Sequence, residues 1–181
     1  MLPTAYASAP RVFQGSRFDV HSVEVTGSDG ARHRKDVVAH PGSVLIVPVI
    51  DRDHVALIRN YRLSSDQTLW ELPAGTLEPV GEDPLRCAQR EIIEETGYRA
   101  GRMEPLITFF ACPGISTELM HAFVAHDLEQ VGQDLDTTES ITPHVLPWPR
   151  VMEMLATREI RDAKTIAGLL YYDVFVRERS R

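Results

Sequence analysis

Apolar and polar positions along the first third of the chain follow the rhythm of paired strands. Arg17–Val25 and Arg32–Val38 flank the polar turn Ser28, Asp29, Gly30, which predicts an antiparallel hairpin. Ser43–Ile50 and His54–Tyr61 are apolar runs rich in Val and Ile, parted by Asp51, Arg52 and Asp53, and these predict central strands. Asp83 followed by Pro84 marks a helix start, because Asp caps the first turn and the N–H that Pro lacks has no partner there. Gly97 supplies the left-handed stop. Between them Leu85, Ala88, Ile92 and Ile93 form an apolar stripe, leaving Arg90, Glu91, Glu94 and Glu95 on other faces, toward solvent or metal. Further strands are predicted over Glu118–Leu128 and Ser140–Leu146, and helices over Pro149–Arg158 and Asp162–Arg177. Strands and helices mix without a repeating βα rhythm, which favours an α+β or α/β/α layered domain over a doubly wound sheet.

Length leaves room for one domain, since 181 residues bury a sizeable core but not two. The net charge of −7 argues against generic binding to nucleic acid, whose affinity comes mostly from Lys and Arg on phosphates. It leaves phosphate substrates open where divalent cations supply the positive field. Cys87 and Cys112 are too few for a disulfide framework and lack zinc-ligand spacing. No apolar run is long enough to span a bilayer, so the expectation is a cytoplasmic protein with no membrane partner.

The acidic residues carry the chemistry. Glu91 and Glu95 stand four apart on one helical face, with Glu94 between them, so three carboxylates crowd one helix end. Like charges at this spacing repel, and the helix dipole disfavours them near its C-terminus. A solvated face balanced by Arg86 and Arg90 is one reading; a site for a hard cation that bridges carboxylates to phosphates is the other.

The full segment GTLEPVGEDPLRCAQREIIEETGY resembles the Nudix box, G-x5-E-x7-R-E-U-x-E-E-x-G-U, where U is a bulky aliphatic or aromatic residue. From Glu82 to Tyr98 every defined position agrees. Six residues rather than five separate Gly75 from Glu82, which places an extra residue in the entrance loop, within Glu78–Gly81. The resemblance implies a Nudix α/β/α sandwich with a mixed central sheet and an N-terminal antiparallel β extension. It also implies Mg²⁺, with Mn²⁺ as an alternative. Glu91 and Glu95 would be metal ligands, Glu94 a further ligand or a water-positioning carboxylate, the Ala74 carbonyl another ligand, and Glu82 a support through water. Arg90 would be a structural arginine paired with the acids, beside the structural glycines Gly75 and Gly97.

The flanks HPGSVLIVPV, HVALIRNYR and WELPAG, with Pro113 fifteen residues after Tyr98, look like the ADP-ribose and nucleoside-diphosphate-sugar pyrophosphatase branch. The resemblance makes Arg62 a phosphate contact and Glu118 a substrate contact, each with a charged or exposed strand end as the other reading, while Glu71 is a candidate substrate contact because it precedes the Leu72–Gly75 turn next to the expected metal site. Glu139 would be a loop carboxylate that activates the attacking water or touches a metal, with Asp136 its competitor. The segment DAKTIAGLLYY resembles the closing helix of this branch and bears on fold more than chemistry. Trp70 is either an aromatic surface beside the metal site or a core residue. Residues 1–40 resemble the extension through which related enzymes form homodimers, with Phe13 and Phe18 as candidate participants, and 41–181 the hydrolase domain. The implied reaction is hydrolysis of ADP-ribose or a related nucleotide sugar. Hydrolysis of nucleoside triphosphates or dinucleoside polyphosphates, and a non-catalytic nucleotide sensor, are the other readings.

Overall fold

The structure, a computed structural model, describes residues 8–78, 80–135 and 140–177. The N-terminal hairpin forms as an antiparallel ribbon: β1 (Arg11–Gln14), β2 (Asp19–Thr26) and β3 (Arg32–Ala39) lie in that order. Its tight end is the turn at Gly27–Gly30, where the Gly30 N–H donates to the Gly27 carbonyl at 3.0 Å.

The two apolar runs become β4 (Ser43–Pro48) and β5 (His54–Arg62). Short strands β6 (Gln67–Glu71) and β7 (Ala74–Thr76) follow, then α1 (Pro84–Thr96) and the long hairpin of β8 (Tyr98–Phe110) and β9 (Leu119–Gln130). β10 (Ile141–Pro147), α2 (Trp148–Ala156) and α3 (Ala163–Tyr172) close the described chain, with a π-helical turn over Asp173–Arg177. One sheet has the order β7-β4-β9-β8, in which β4 and β9 run parallel and the other pairs antiparallel; the second has the order β10-β5-β6.

Every residue of β4 is buried, and its two faces serve different layers. Leu45 and Val47 join Val151, Met154, Leu169 and Tyr172 from the α2–α3 side, whereas Val44 and Ile46 join Cys87, Ala88 and Ile92 of α1. Helices therefore cover both faces, giving the mixed α/β/α sandwich with an N-terminal β extension. Burial of these aliphatic side chains, at about 1.5–3 kcal/mol each, is the main driving force for the layering. Among the described residues no helix is long and apolar enough to cross a membrane.

Both predicted ends of α1 hold. The Asp83 carboxylate accepts the N–H groups of Leu85 at 2.9 Å and Arg86 at 3.1 Å, and Gly97 takes φ 74°. One expectation about its faces is corrected: Leu85, placed in the apolar stripe, is exposed. Glu91 and Glu95 are buried at 9% and 3% exposure, because α1 turns these acids toward β7. In the entrance loop Val80 stands 82% exposed and Gly81 has open space around it, so the extra length is taken up at the surface.

Candidate active site

Three pieces of backbone meet where the carboxylates collect. β7 lies antiparallel to β4 with Val44 opposite Gly75 and Leu45 opposite Ala74, and this edge faces the C-terminal half of α1. Glu95 Oε2 accepts the Ala74 N–H at 2.8 Å. The Glu91 carboxylate packs so closely on Gly75 that an added Cβ would fall 1.9 Å from its Cδ. Gly75 is thus needed for contact: its bare Cα is one wall of the space that holds Glu91. Gly75→Ala is expected to leave the fold intact, because the clash is with the mobile end of a side chain, and to displace Glu91. Turnover should fall about 10- to 100-fold, the usual cost of disturbing ligand support. Steady-state kinetics with a melting curve checks this; wild-type turnover would contradict the role given to Gly75.

Arg90 is the counter-ion of the cluster. Its Nη1 donates to Glu91 Oε1 at 2.7 Å and Glu94 Oε2 at 2.8 Å, and its Nη2 reaches Glu82 Oε2 at 3.4 Å. Glu82 Oε2 also accepts the Glu78 N–H at 3.1 Å, which ties the entrance loop to the cluster. Burial works against the Arg90 charge, but the neighbouring Glu91 and Glu94 carboxylates hold its pKa above the ordinary arginine range. With Arg90 between Glu91 and Glu94, no three acidic, histidine or cysteine side chains among the described residues converge to hold an ion. The donor set nevertheless fits a hard divalent cation: several carboxylates share one guanidinium, and every donor is oxygen.

Arg90, Glu91, Glu94 and Glu95 open onto a cleft of about 910 Å³ that also receives Arg62, Glu118 and Lys164. Glu118 Oε1 accepts the Ser43 hydroxyl at 2.8 Å and lies 4.0 Å from His40 Nδ1, which holds its carboxylate at the rim. Arg62 donates through Nε and Nη2 to Glu71 at 2.8 and 2.6 Å, and Lys164 Nζ donates to the same carboxylate at 2.7 Å. Glu71, expected against the substrate, is instead fully buried beneath these two cations and meets the cleft only through them. Burial opposes its ionisation, yet Arg62 and Lys164 hold its carboxyl below the ordinary range.

Trp70 does not line the cleft; its ring packs under the Arg59 guanidinium at 4.9 Å and edge-on to His144 at 5.0 Å. Pro113 sits in an exposed turn whose flanks, Ala111 and Glu118, do line it. Asp136 and Glu139 lie outside the described residues. Sequence reasoning did not single out Lys164, Ser43, Arg17 or the Phe109–Phe110 pair as cleft residues. For Lys164 the signal was its place two residues after a helix-capping Asp, at the start of a segment that otherwise reads as core.

The sequence profile of the NUDIX domain family matches residues 39–169, and the chain belongs to that family. A Bacillus subtilis (strain 168) relative named ADP-ribose pyrophosphatase is 31% identical over 163 residues, covering 89% of this chain and 88% of its own. The GDP-mannose pyrophosphatase of Shigella flexneri is 31% identical over 176 residues, covering 89% and 91%. A crystal structure of an ADP compounds hydrolase superposes with a TM-score of 0.82 at 25% identity, covering 97% of this chain and 95% of that one. Fold, box and relatives together define a Nudix pyrophosphatase, a hydrolase of a family that works with divalent metals.

Proposed function

We propose that the chain hydrolyses the diphosphate linkage of ADP-ribose or a related nucleoside-diphosphate sugar, giving a nucleoside monophosphate and a sugar phosphate. The observation that carries this reading is that Glu91, Glu94 and Glu95 line one large cleft together with the cationic Arg62, Arg90 and Lys164, with Glu82 tied to the acids through Arg90. Its volume falls in the range of small-ligand sites. The names of the Bacillus and Shigella relatives support the same substrate class.

Glu91, Glu94, Glu95 and the Ala74 carbonyl would hold Mg²⁺, or Mn²⁺ in its place, with Glu82 assisting through water. When bound, the metal neutralises the diphosphate and lowers the pKa of an attacking water. Arg62 keeps Nε and Nη2 on Glu71, which orients the remaining guanidinium N–H groups toward a phosphoryl oxygen in the cleft. A carboxylate among Glu94, Glu95 and Glu139 takes the water's proton as oxygen bonds to phosphorus and the bridging P–O bond breaks. Glu118, fixed by Ser43, accepts from a sugar hydroxyl. A panel of ADP-ribose, other nucleotide sugars, dinucleotides and nucleoside triphosphates tests the reading. Nucleotide sugars should give the highest kcat/KM; triphosphates or dinucleoside polyphosphates at the head of the ranking would sink it.

Residues 1–40 serve in this reading as the dimerisation extension of a hydrolase domain spanning 41–181. Val12, Phe13 and Phe18 support that role: they are 59%, 53% and 43% exposed, and the two Phe rings lie 6.1 Å apart. Light scattering should return twice the chain mass of 20.3 kDa, and deletion of residues 1–40 should lower the mass to that of one chain. A full-length protein that elutes as a monomer contradicts the dimer. The reading places the enzyme in the cytoplasm, consistent with Cys87 and Cys112 both being free, and assigns it no nucleic-acid or membrane partner.

A further inference from the structure

Residues Glu71–Gly75 cross from one sheet to the other. Glu71 pairs with Ile58 in the β10-β5-β6 sheet, and Ala74 and Gly75 pair with Leu45 and Val44 in the β7-β4-β9-β8 sheet. Only Leu72 and Pro73 bridge the change, yet three features of the site ride on this crossing. Glu71 fixes Arg62, the Ala74 N–H is bonded to Glu95, and Gly75 backs Glu91. A shift of the crossing therefore moves the acids and the Arg62 guanidinium together.

Sheet pairing secures one side, where the Pro73 carbonyl accepts the Ile46 N–H at 2.9 Å. The other side is held by the first turn of α3. Thr165 Oγ1 accepts the Leu72 N–H at 2.8 Å, and Lys164 Nζ donates to Glu71 Oε2 at 2.7 Å. Asp162, the helix cap, fastens both: Oδ1 lies 2.9 Å from Lys164 Nζ, and Oδ2 accepts the Thr165 N–H at 3.0 Å and its hydroxyl at 2.6 Å. Thr165, Leu72 and Glu71 are all fully buried, so water cannot replace these partners. One turn on, a Cβ at Gly168 would lie 2.8 Å from Leu45 Cδ2 and 3.0 Å from Leu72 Cδ1, so the helix packs directly on the crossing. A helix stop needs only a cap; two side chains reaching 93 residues back along the chain do something else.

We propose that Asp162, Lys164 and Thr165 are positioning residues which hold the Glu71–Gly75 crossing, and through it the Ala74 carbonyl and the Glu91 and Glu95 carboxylates, in the arrangement that binds the divalent cation. The proposal rests on the metal-binding part of the reading above. It does not depend on which substrate is cut.

Mn²⁺ binding by isothermal titration calorimetry, with the whole chain and no substrate, tests it, with melting curves run alongside. Thr165→Val keeps the shape and removes the acceptor; Thr165→Ser restores it. Lys164→Met removes one cation while Arg62 stays paired with Glu71, so this variant is expected to fold even where Thr165→Val fails. Thr165→Val and Lys164→Met are expected to weaken Mn²⁺ binding about tenfold, the scale on which supporting partners of ligands act, with Thr165→Ser within about twofold of wild type. A purely structural role would lower melting temperatures and leave the affinity of folded protein unchanged; that result, in Lys164→Met alone, overturns the proposal. Wild-type protein that binds Mn²⁺ but cuts no nucleotide sugar overturns the substrate reading only, because the calorimetric comparison still decides the positioning role.

Discussion

Glu95→Gln is expected to lower kcat for ADP-ribose by about 10²–10³-fold, since loss of a ligating charge removes several kcal/mol of charge stabilisation in the transition state. The substitution separates two duties of one side chain. Glu95 is 3% exposed and accepts the Ala74 N–H at 2.8 Å, a bond that the Gln amide oxygen can also accept. Its shape and its hold on β7 are therefore kept while the negative charge is lost. The melting temperature should move little, and part of the lost rate should return as Mg²⁺ is raised. Retained turnover at limiting Mg²⁺ would contradict the ligand role.

The largest effect on stability is expected at Glu71. Glu71→Ala leaves Arg62 and Lys164 without the carboxylate that both share in a fully buried setting. Breaking such an arrangement costs about 3–5 kcal/mol, and the lower end applies because Arg62 keeps 36% of its side chain exposed. For a chain of this size that is a fall of roughly 10 °C in melting temperature. The pH dependence follows from the depressed carboxyl pKa. A group that ionises more readily folded than unfolded stabilises above its unfolded pKa, about 4.3 for Glu, and loses that contribution as pH falls toward its folded value. The gap between wild type and Glu71→Ala should accordingly be full at neutral pH and close in acid. A gap independent of pH would contradict the ion-pair account.

Much of this site was legible in the chain because its signals are local. Asp83, Pro84 and Gly97 bound α1 through interactions within one or two turns, and the spacing of Glu91, Glu94 and Glu95 follows from the helical repeat alone. The strands β7 and β8 escaped prediction because their own local signals are weak. β7 is three residues long, and β8 is half exposed along much of its length, with Gly101, Pro105 and a register shift after Pro105 breaking its alternation. What could not be read was pairing across distance. Glu71 looked like a cleft residue because it lies three positions before Ala74; its burial depends on Lys164, from an element near the other end of the chain. Likewise the sequence left the acids of α1 open to solvent or to metal, and it is the β7 edge, set by β4, that turns Glu91 and Glu95 inward.

Metal-dependent cleavage of the diphosphate linkage is read from the products of ADP-ribose. Protein freed of metal by chelation should leave the substrate intact, and restoring Mg²⁺ should give AMP and ribose 5-phosphate in equal amounts, followed by ³¹P NMR. ADP-ribose and the other nucleotide sugars remaining intact with Mg²⁺ and folded protein would contradict hydrolysis of this linkage.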